Sequence, residues 1–387
     1  MAFKLGYRPE FDGIRAVAVG AVMLCHSSLL AKGSDLMGAG AAFPSLMRGG
    51  MYGVDIFFVL SGFLITTLML SEHEASGKID FRAFYVRRVL RLFPAMALLL
   101  FGSLVYVLFF ETSGSRFDLL AIGISALYIS NFALIFAGLR LGMLTPTWSL
   151  SVEEQFYSLW PITLTFLLRL ERRHIFKIVL AGAFGAAVLR AILFAESRRL
   201  YSWPLFGSAN HFLLARADGL MLGALVAMAA SWGWLPDARS HEKRWKIAAW
   251  ASALGLAALL AFGPNDYGPS VFYFVYSATG VLTALLLAAL LMAPPAALLA
   301  ILKWPPLVWM GKISYGLYLF HMPVYALMPS SGPSFLSPAA GSYFLFAVAV
   351  AISFCVAGAS YYAIERRCLD LRHLIGRPRG LVAQAEF

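Results

Sequence analysis

Apolar residues in this chain come in long unbroken runs, not in the alternation of half-buried strands or the one-sided stripe of surface helices. Eleven runs stand out, at 14–31, 51–70, 93–110, 118–137, 152–168, 175–195, 211–231, 247–263, 271–293, 307–327 and 340–363. Most approach or exceed the length of about 18 residues that an α-helix needs to cross hydrocarbon. The pattern predicts an all-α, polytopic integral membrane protein forming one domain over residues 1–387, with no internal repeat or low-complexity tract. The first run carries Arg15, Cys25 and His26 and has no small-residue cleavage site, so it is expected to be a retained span and not a signal peptide.

Charge decides how many runs cross. If all eleven did, the basic clusters "RLERRHIFK" (169–177) and "DARSHEKRWK" (237–246) would both lie outside. If 118–137 instead dips in and returns, twenty-three Lys and Arg fall on one side against six on the other. Cytoplasmic loops carry the basic excess, so the expectation is about ten transmembrane helices, one re-entrant segment, and both termini cytoplasmic with a basic tail over 364–387. Ser125, Ser130 and Asn131 suit a re-entrant segment shielded by protein, because irregular backbone cannot face lipid.

Composition agrees: 60% hydrophobic, 13% charged and a mean hydropathy of +0.75 exclude a water-soluble globule. The net charge of +11 does not point to nucleic acid, since the basic residues sit in short loops between apolar runs. Cys25, Cys355 and Cys368 offer no disulfide framework.

With the topology fixed, depth becomes readable at 1.5 Å of rise per helical residue. His26 falls about five residues below the outer end of the first span. Asp55, Glu153, Arg190, Arg216, Asp218 and His321 reach the same outer layer from other spans. Ionisable groups inside a membrane are expensive, so such a gathering is a functional-site hypothesis. Plainer readings exist for each. An intramembrane histidine can simply bond a neighbouring helix, Asp55 could pair with Arg216, and Ser151–Glu154 reads as a helix-capping box, which leaves Glu153 as the better candidate of its pair.

The inner surface has its own constellation. "FRAFYVRRVLRLFP" places Arg87, Arg88 and Arg91 just before the third span, close enough in helical spacing to share a face. They could anchor lipid head groups or clamp a phosphate through guanidinium forks. Arg15 lies eleven residues before His26, within about 20° of three full turns and about 16.5 Å away along a helix. A charged head held inside, with a thin arm reaching the histidine, would fit that spacing.

These segments resemble a family. "YRPEFDGIRAVAVGAVMLCH", "GVDIFFVLSGFLI", "FYVRRVLRLFP", "TPTWSLSVEEQFY" and "ISYGLYLFHMP" are similar, in order, to the signatures of the acyltransferase-3 family of membrane O-acyltransferases. The resemblance implies transfer of an acyl group, usually acetyl, from a coenzyme A thioester to a hydroxyl of a cell-surface or lipid-linked glycan, in a bacterial cytoplasmic (inner) membrane. Arg15, Arg88 and Arg91 would bind the acyl-CoA co-substrate, and no metal is expected. His26 would act on the hydroxyl, as base or as nucleophile, with Asp55 fixing its tautomer. Trp148, Glu153, Arg216 and His321 would bind the acceptor. The family's frequent soluble esterase-like domain is not expected here. Expected partners are the glycan or glycolipid acceptor, membrane lipids and glycan-assembly proteins, but no nucleic acid. The rival reading is a proton-coupled carrier, whose ionisable residues would also line a midplane pathway; the missing two-fold repeat weighs against it.

Overall fold

The computed structural model describes residues 5–30, 48–110, 115–139, 141–264, 267–329 and 332–371. Lys4, Lys32, Arg140 and the tail from residue 372, which entered the charge count, lie outside these residues. Among the described residues the secondary structure is helical throughout, with no strand. The helices are α1 (Pro9–Cys25), α2 (Gly53–Ser76), α3 (Phe81–Phe109), α4 (Ser115–Ala126), α5 (Ser130–Phe136), α6 (Thr147–Leu167), α7 (Arg172–Leu200), α8 (Trp203–His211) and α9 (Leu213–Ser231). After them come α10 (Glu242–Phe262), α11 (Tyr276–Met292), α12 (Ala296–Leu302), α13 (Pro305–Lys312), α14 (Ser314–Leu327), α15 (Pro338–Ser360) and α16 (Arg366–Asp370). The chain is therefore an all-α polytopic membrane protein.

Among the described residues seven segments are long and apolar enough to cross a membrane, and burial sorts them. Gly50–Ser76 and Trp203–Ser231 are 83% and 78% buried and form the centre, whereas Phe81–Phe109, Arg172–Leu200 and Ala340–Asp370 are each 28% buried and present most of their surface outward. Three further expected crossings coincide with α1, α6 and α14. They fall below the length or hydropathy of a lipid-facing span because α1 has 17 residues and α14 has 14, while α6 carries Glu153 and Glu154. Enclosed helices need not be uniformly apolar, and these three carry the site.

The central pair, α2 and α9, cross backbone to backbone. A Cβ added at Gly62 would come within 1.9 Å of the Leu220 carbonyl oxygen, and one at Gly223 within 2.0 Å of the Val59 carbonyl oxygen. Small residues at such crossings are the membrane solution to close packing where lipid offers no hydrophobic drive.

The stretch 118–137 forms two short helices, α4 and α5, broken at Tyr128, which has φ 53°. Its hydrogen bonds give its depth. Ser125 Oγ meets Thr147 Oγ1 at 3.1 Å at the start of α6, and Gln155 Nε2, two turns further along, donates to the Tyr128 carbonyl at 3.1 Å. The chain then climbs back, and Trp203 Nε1 donates to the Leu134 carbonyl at 3.1 Å. The segment thus enters and leaves at the end of the bundle where α6 begins, as a re-entrant hairpin does. Its Ser125, Ser130 and Asn131 are fully buried and hydrogen-bonded.

The capping box at Ser151 is overturned. α6 starts four residues earlier, at Thr147, so Ser151 lies inside the helix, donating to the Thr147 carbonyl at 2.9 Å and accepting from the Ser130 amide at 3.2 Å. The polar "TPTWSLS" looked like a lead-in because it is hydrophilic; the re-entrant hairpin satisfies its hydroxyls, which lets the helix begin sooner.

Candidate active site

A cavity opens among α1, α2, α3, α6 and α14. Arg15, Arg88 and Arg91 line it, with Ser61, Glu153 and Tyr157. Arg88 lies 4.5 Å over the Tyr157 ring, a stacking arginine uses well because its guanidinium is planar and weakly hydrated. Arg15 contacts Asp12 at 3.5 Å. Among the described residues neither Arg88 nor Arg91 forms an ion pair, so the cavity holds three guanidinium groups against one lining carboxylate, Glu153. Arg87 is not part of it: it turns to Glu72, 3.6 Å away.

From the arginines the cavity runs along α14. Tyr315, Tyr318 and His321 follow at intervals of three residues and so share a face. Tyr315 donates to the Leu92 carbonyl at 3.0 Å, and the Tyr318 hydroxyl meets Ser149 Oγ at 2.6 Å. The Tyr318 ring centroid lies 5.9 Å from that of His321. Sequence reasoning singled out neither Tyr318 nor Ser149; the signal was there in the three-residue spacing of "SYGLYLFH" ahead of the histidine.

At the end of this face His26 and His321 meet. α1 ends at Cys25 and His26 opens a short 3-10 turn, which brings its Nδ1 to 3.0 Å from His321 Nε2, the rings stacked at 5.2 Å. His321 Nδ1 lies 3.0 Å from the Leu317 carbonyl, which can only accept. In the neutral pair that carbonyl places the proton on His321 Nδ1, makes His321 Nε2 an acceptor and His26 Nδ1–H the donor. The lone pair of His26 Nε2 is then free. Tyr325 packs edge-on against His321 at 5.7 Å and donates to the Met23 carbonyl at 3.3 Å, tying α14 to the end of α1.

Three expectations about this centre need correction. Asp55 does not orient His26: its Oδ1 accepts from Arg216 Nη2 at 2.7 Å, and the His26 ring is held by His321. Depth alone could not separate these, because two residues at one level on adjacent helices can still face apart. Glu153 does not lie in the histidine layer either. Starting at Thr147, α6 carries it six residues down, about 9 Å, to accept from Ser61 Oγ at 2.9 Å inside the arginine-lined cavity. His321, expected to contact acceptor, is fully buried against His26.

The other buried charges form a network beside the cavity. Arg190 makes a bidentate pair with Asp218 at 2.9 and 2.8 Å and also donates to Ser277 and to the Ala215 and Phe272 carbonyls. Arg216, bound to Asp55, lies 3.6 Å over the Tyr276 ring and 6.0 Å from that of Trp148, which itself packs edge-on against His211 at 4.7 Å.

A polytopic α-helical bundle with an arginine-lined cavity, and a histidine pair next to the tyrosines on one of its walls, is a membrane protein built around a polar interior site. The chain belongs to the acyltransferase-3 family, whose acyltransferase domain matches residues 8–358. It is 32% identical over 342 residues to the peptidoglycan O-acetyltransferase OatA of Listeria monocytogenes, covering 83% of this chain and 50% of the relative. It is 30% identical over 346 residues to the O-acetyltransferase OatA of Staphylococcus aureus, covering 84% and 51% respectively. The chain thus spans about half the length of the curated relatives it matches. No solved structure matches it.

Proposed function

We propose that this protein is an acyl-CoA-dependent O-acetyltransferase that takes its donor from the cytoplasmic side of the bacterial inner membrane and acylates a glycan hydroxyl presented from the other side. The observation that carries the proposal is the continuous lining of Arg15, Arg88, Arg91, Tyr315 and Tyr318, which ends against the His26–His321 pair. The guanidinium groups suit the phosphates of coenzyme A, and the tyrosine-lined stretch suits its uncharged arm. The named activity of the relatives supports acetyl as the acyl group and peptidoglycan as one acceptor.

In this reading the thioester carbonyl lies at the histidine pair. His26 Nε2 takes the proton of the acceptor hydroxyl as its oxygen attacks the carbonyl carbon; the C–S bond breaks and the departing thiolate receives the proton. His321 keeps the accepting nitrogen aimed and shares the positive charge through the 3.0 Å contact. Alternatively Nε2 attacks the carbonyl itself and the C–S bond breaks to release the thiolate; the acyl-histidine then passes its group to the hydroxyl oxygen, and the hydroxyl proton ends on the thiolate. Ping-pong kinetics and trapping of acylated His26 identify the second route; ternary-complex kinetics identify the first. The test of the function is transfer of radiolabelled acetyl from acetyl-CoA to peptidoglycan fragments by purified protein in lipid nanodiscs. Absence of both coenzyme A binding and transfer would sink it.

A further inference from the structure

The two buried arginines beside the cavity serve as each other's control. All three nitrogens of Arg190 are bonded, to Asp218, Ser277 and two carbonyls. Arg216 is buried equally deeply, at 2% exposure, yet makes one hydrogen bond, to Asp55 Oδ1. Among the described residues its Nε and Nη1 and the Oδ2 of Asp55 have no hydrogen-bond partner, and the Nδ1 of the adjoining His211 has only a loose contact with the Gly207 backbone. The pair does not close into the two-point fork that Arg190 and Asp218 form. Leaving such groups unmet in a buried place is costly, and a neighbouring arginine in the same fold shows that full satisfaction was attainable.

The unmet set has a definite chemistry. Arg216 supplies N–H donors. Asn210 Nδ2 lies 3.1 Å from His211 Nε2, which makes that nitrogen the acceptor and leaves His211 Nδ1 protonated and donating. Asp55 Oδ2 supplies an acceptor. Donors and an acceptor side by side match hydroxyl groups, which accept and donate at once. Arg190, Arg216, Asp55 and Asp218 sum to zero charge, so the cluster needs no further counter-ion and suits an uncharged group. Trp148 and His211 are only half-buried in front of Arg216, and an indole there offers a flat apolar face.

We propose that Asp55, Arg216, His211 and Trp148 form the acceptor subsite, binding the hydroxyls of a sugar ring that lies against the indole. This rests on the acyl-transfer reading above but commits to the acceptor's chemistry, and it moves Asp55 from the histidine to the sugar.

The test is binding of an N-acetylglucosaminyl–N-acetylmuramic acid disaccharide to purified full-length protein, without donor, by saturation-transfer NMR, with coenzyme A binding measured separately. Truncating Arg216 alone would strand Asp55, so the paired neutral variant Arg216→Gln/Asp55→Asn is used beside Trp148→Ala. We expect each to weaken disaccharide binding at least about tenfold, the scale of losing one or two buried polar contacts, with coenzyme A affinity within about twofold of wild type. Disaccharide affinity near wild type in variants that still bind coenzyme A would overturn the assignment, as would no disaccharide binding by the wild-type protein. Failure of coenzyme A binding with sugar binding intact would count against the donor reading and leave the subsite standing.

Discussion

His26 and His321 come from helices at opposite ends of the sequence and share one hydrogen bond of 3.0 Å between Nδ1 and Nε2. Because the Leu317 carbonyl accepts from His321 Nδ1–H, the pair has a direction: it ends in a neutral carbonyl, with no carboxylate behind it. His26→Ala should still bind coenzyme A and lose transfer by at least about a hundredfold, the low end for removing acid–base help. Near-normal turnover in a well-inserted variant would make the histidine structural.

In the proposed mechanism His321 acts through His26. His321→Ala should lower kcat at least about tenfold with little change in acceptor KM. His321→Gln, whose side-chain oxygen can still accept from His26 Nδ1–H, should recover part of it. A rise in KM at constant kcat would return His321 to acceptor binding.

The cavity arginines make a salt-dependent prediction. Arg88→Ala or Arg91→Ala should weaken coenzyme A binding by calorimetry, and added salt should weaken it in the wild type. Lysine should rescue only in part, because the fork is lost. Arg87→Ala, whose partner is Glu72, should leave coenzyme A affinity unchanged. Equal losses at all three positions would mean a diffuse basic surface.

The hairpin at 115–136 gives a labelling test. In a cysteine-free background, Phe110→Cys and Ala137→Cys should react with an impermeant maleimide from the same side, and Lys78→Cys from the other. Opposite sides for the first two would mean that the segment crosses.

The α2–α9 crossing should tolerate no added carbon. Gly62→Ala or Gly223→Ala should cost about 1–3 kcal/mol, the range for overpacking, read as a lower thermal midpoint in detergent. An unchanged midpoint would show that the helices can part freely.

The helical runs, the re-entrant dip and the arginine cluster were legible in the sequence because each follows from hydropathy or from charge, which act residue by residue. Partnership was not. The sequence left Asp55 two partners at one depth, Arg216 and His26, and the structure takes the first; which of them it faces depends on how α2, α9 and α1 are rotated, and the glycine contacts that set those rotations are invisible until the helices are packed. Glu153 was misplaced for a simpler reason. A hydrophilic helix start looks like a loop unless the partner that satisfies it, here Ser130 against Ser151, is already in view.

Gly62 and Gly223 have one more consequence. Each rests on a carbonyl of the opposite helix, so the contact has no side-chain rotamers that could yield. A carrier that moves cargo by rocking one half against the other would have to break such a joint in every cycle. The proposed reaction makes no such demand: an acyl group of two carbons, handed from a sulfur to an oxygen at a fixed histidine, would pass from one side toward the other while the helices stay still. In that reading what crosses the membrane is a covalent bond changing partners, and the stiffness of the spine keeps the two partners in reach.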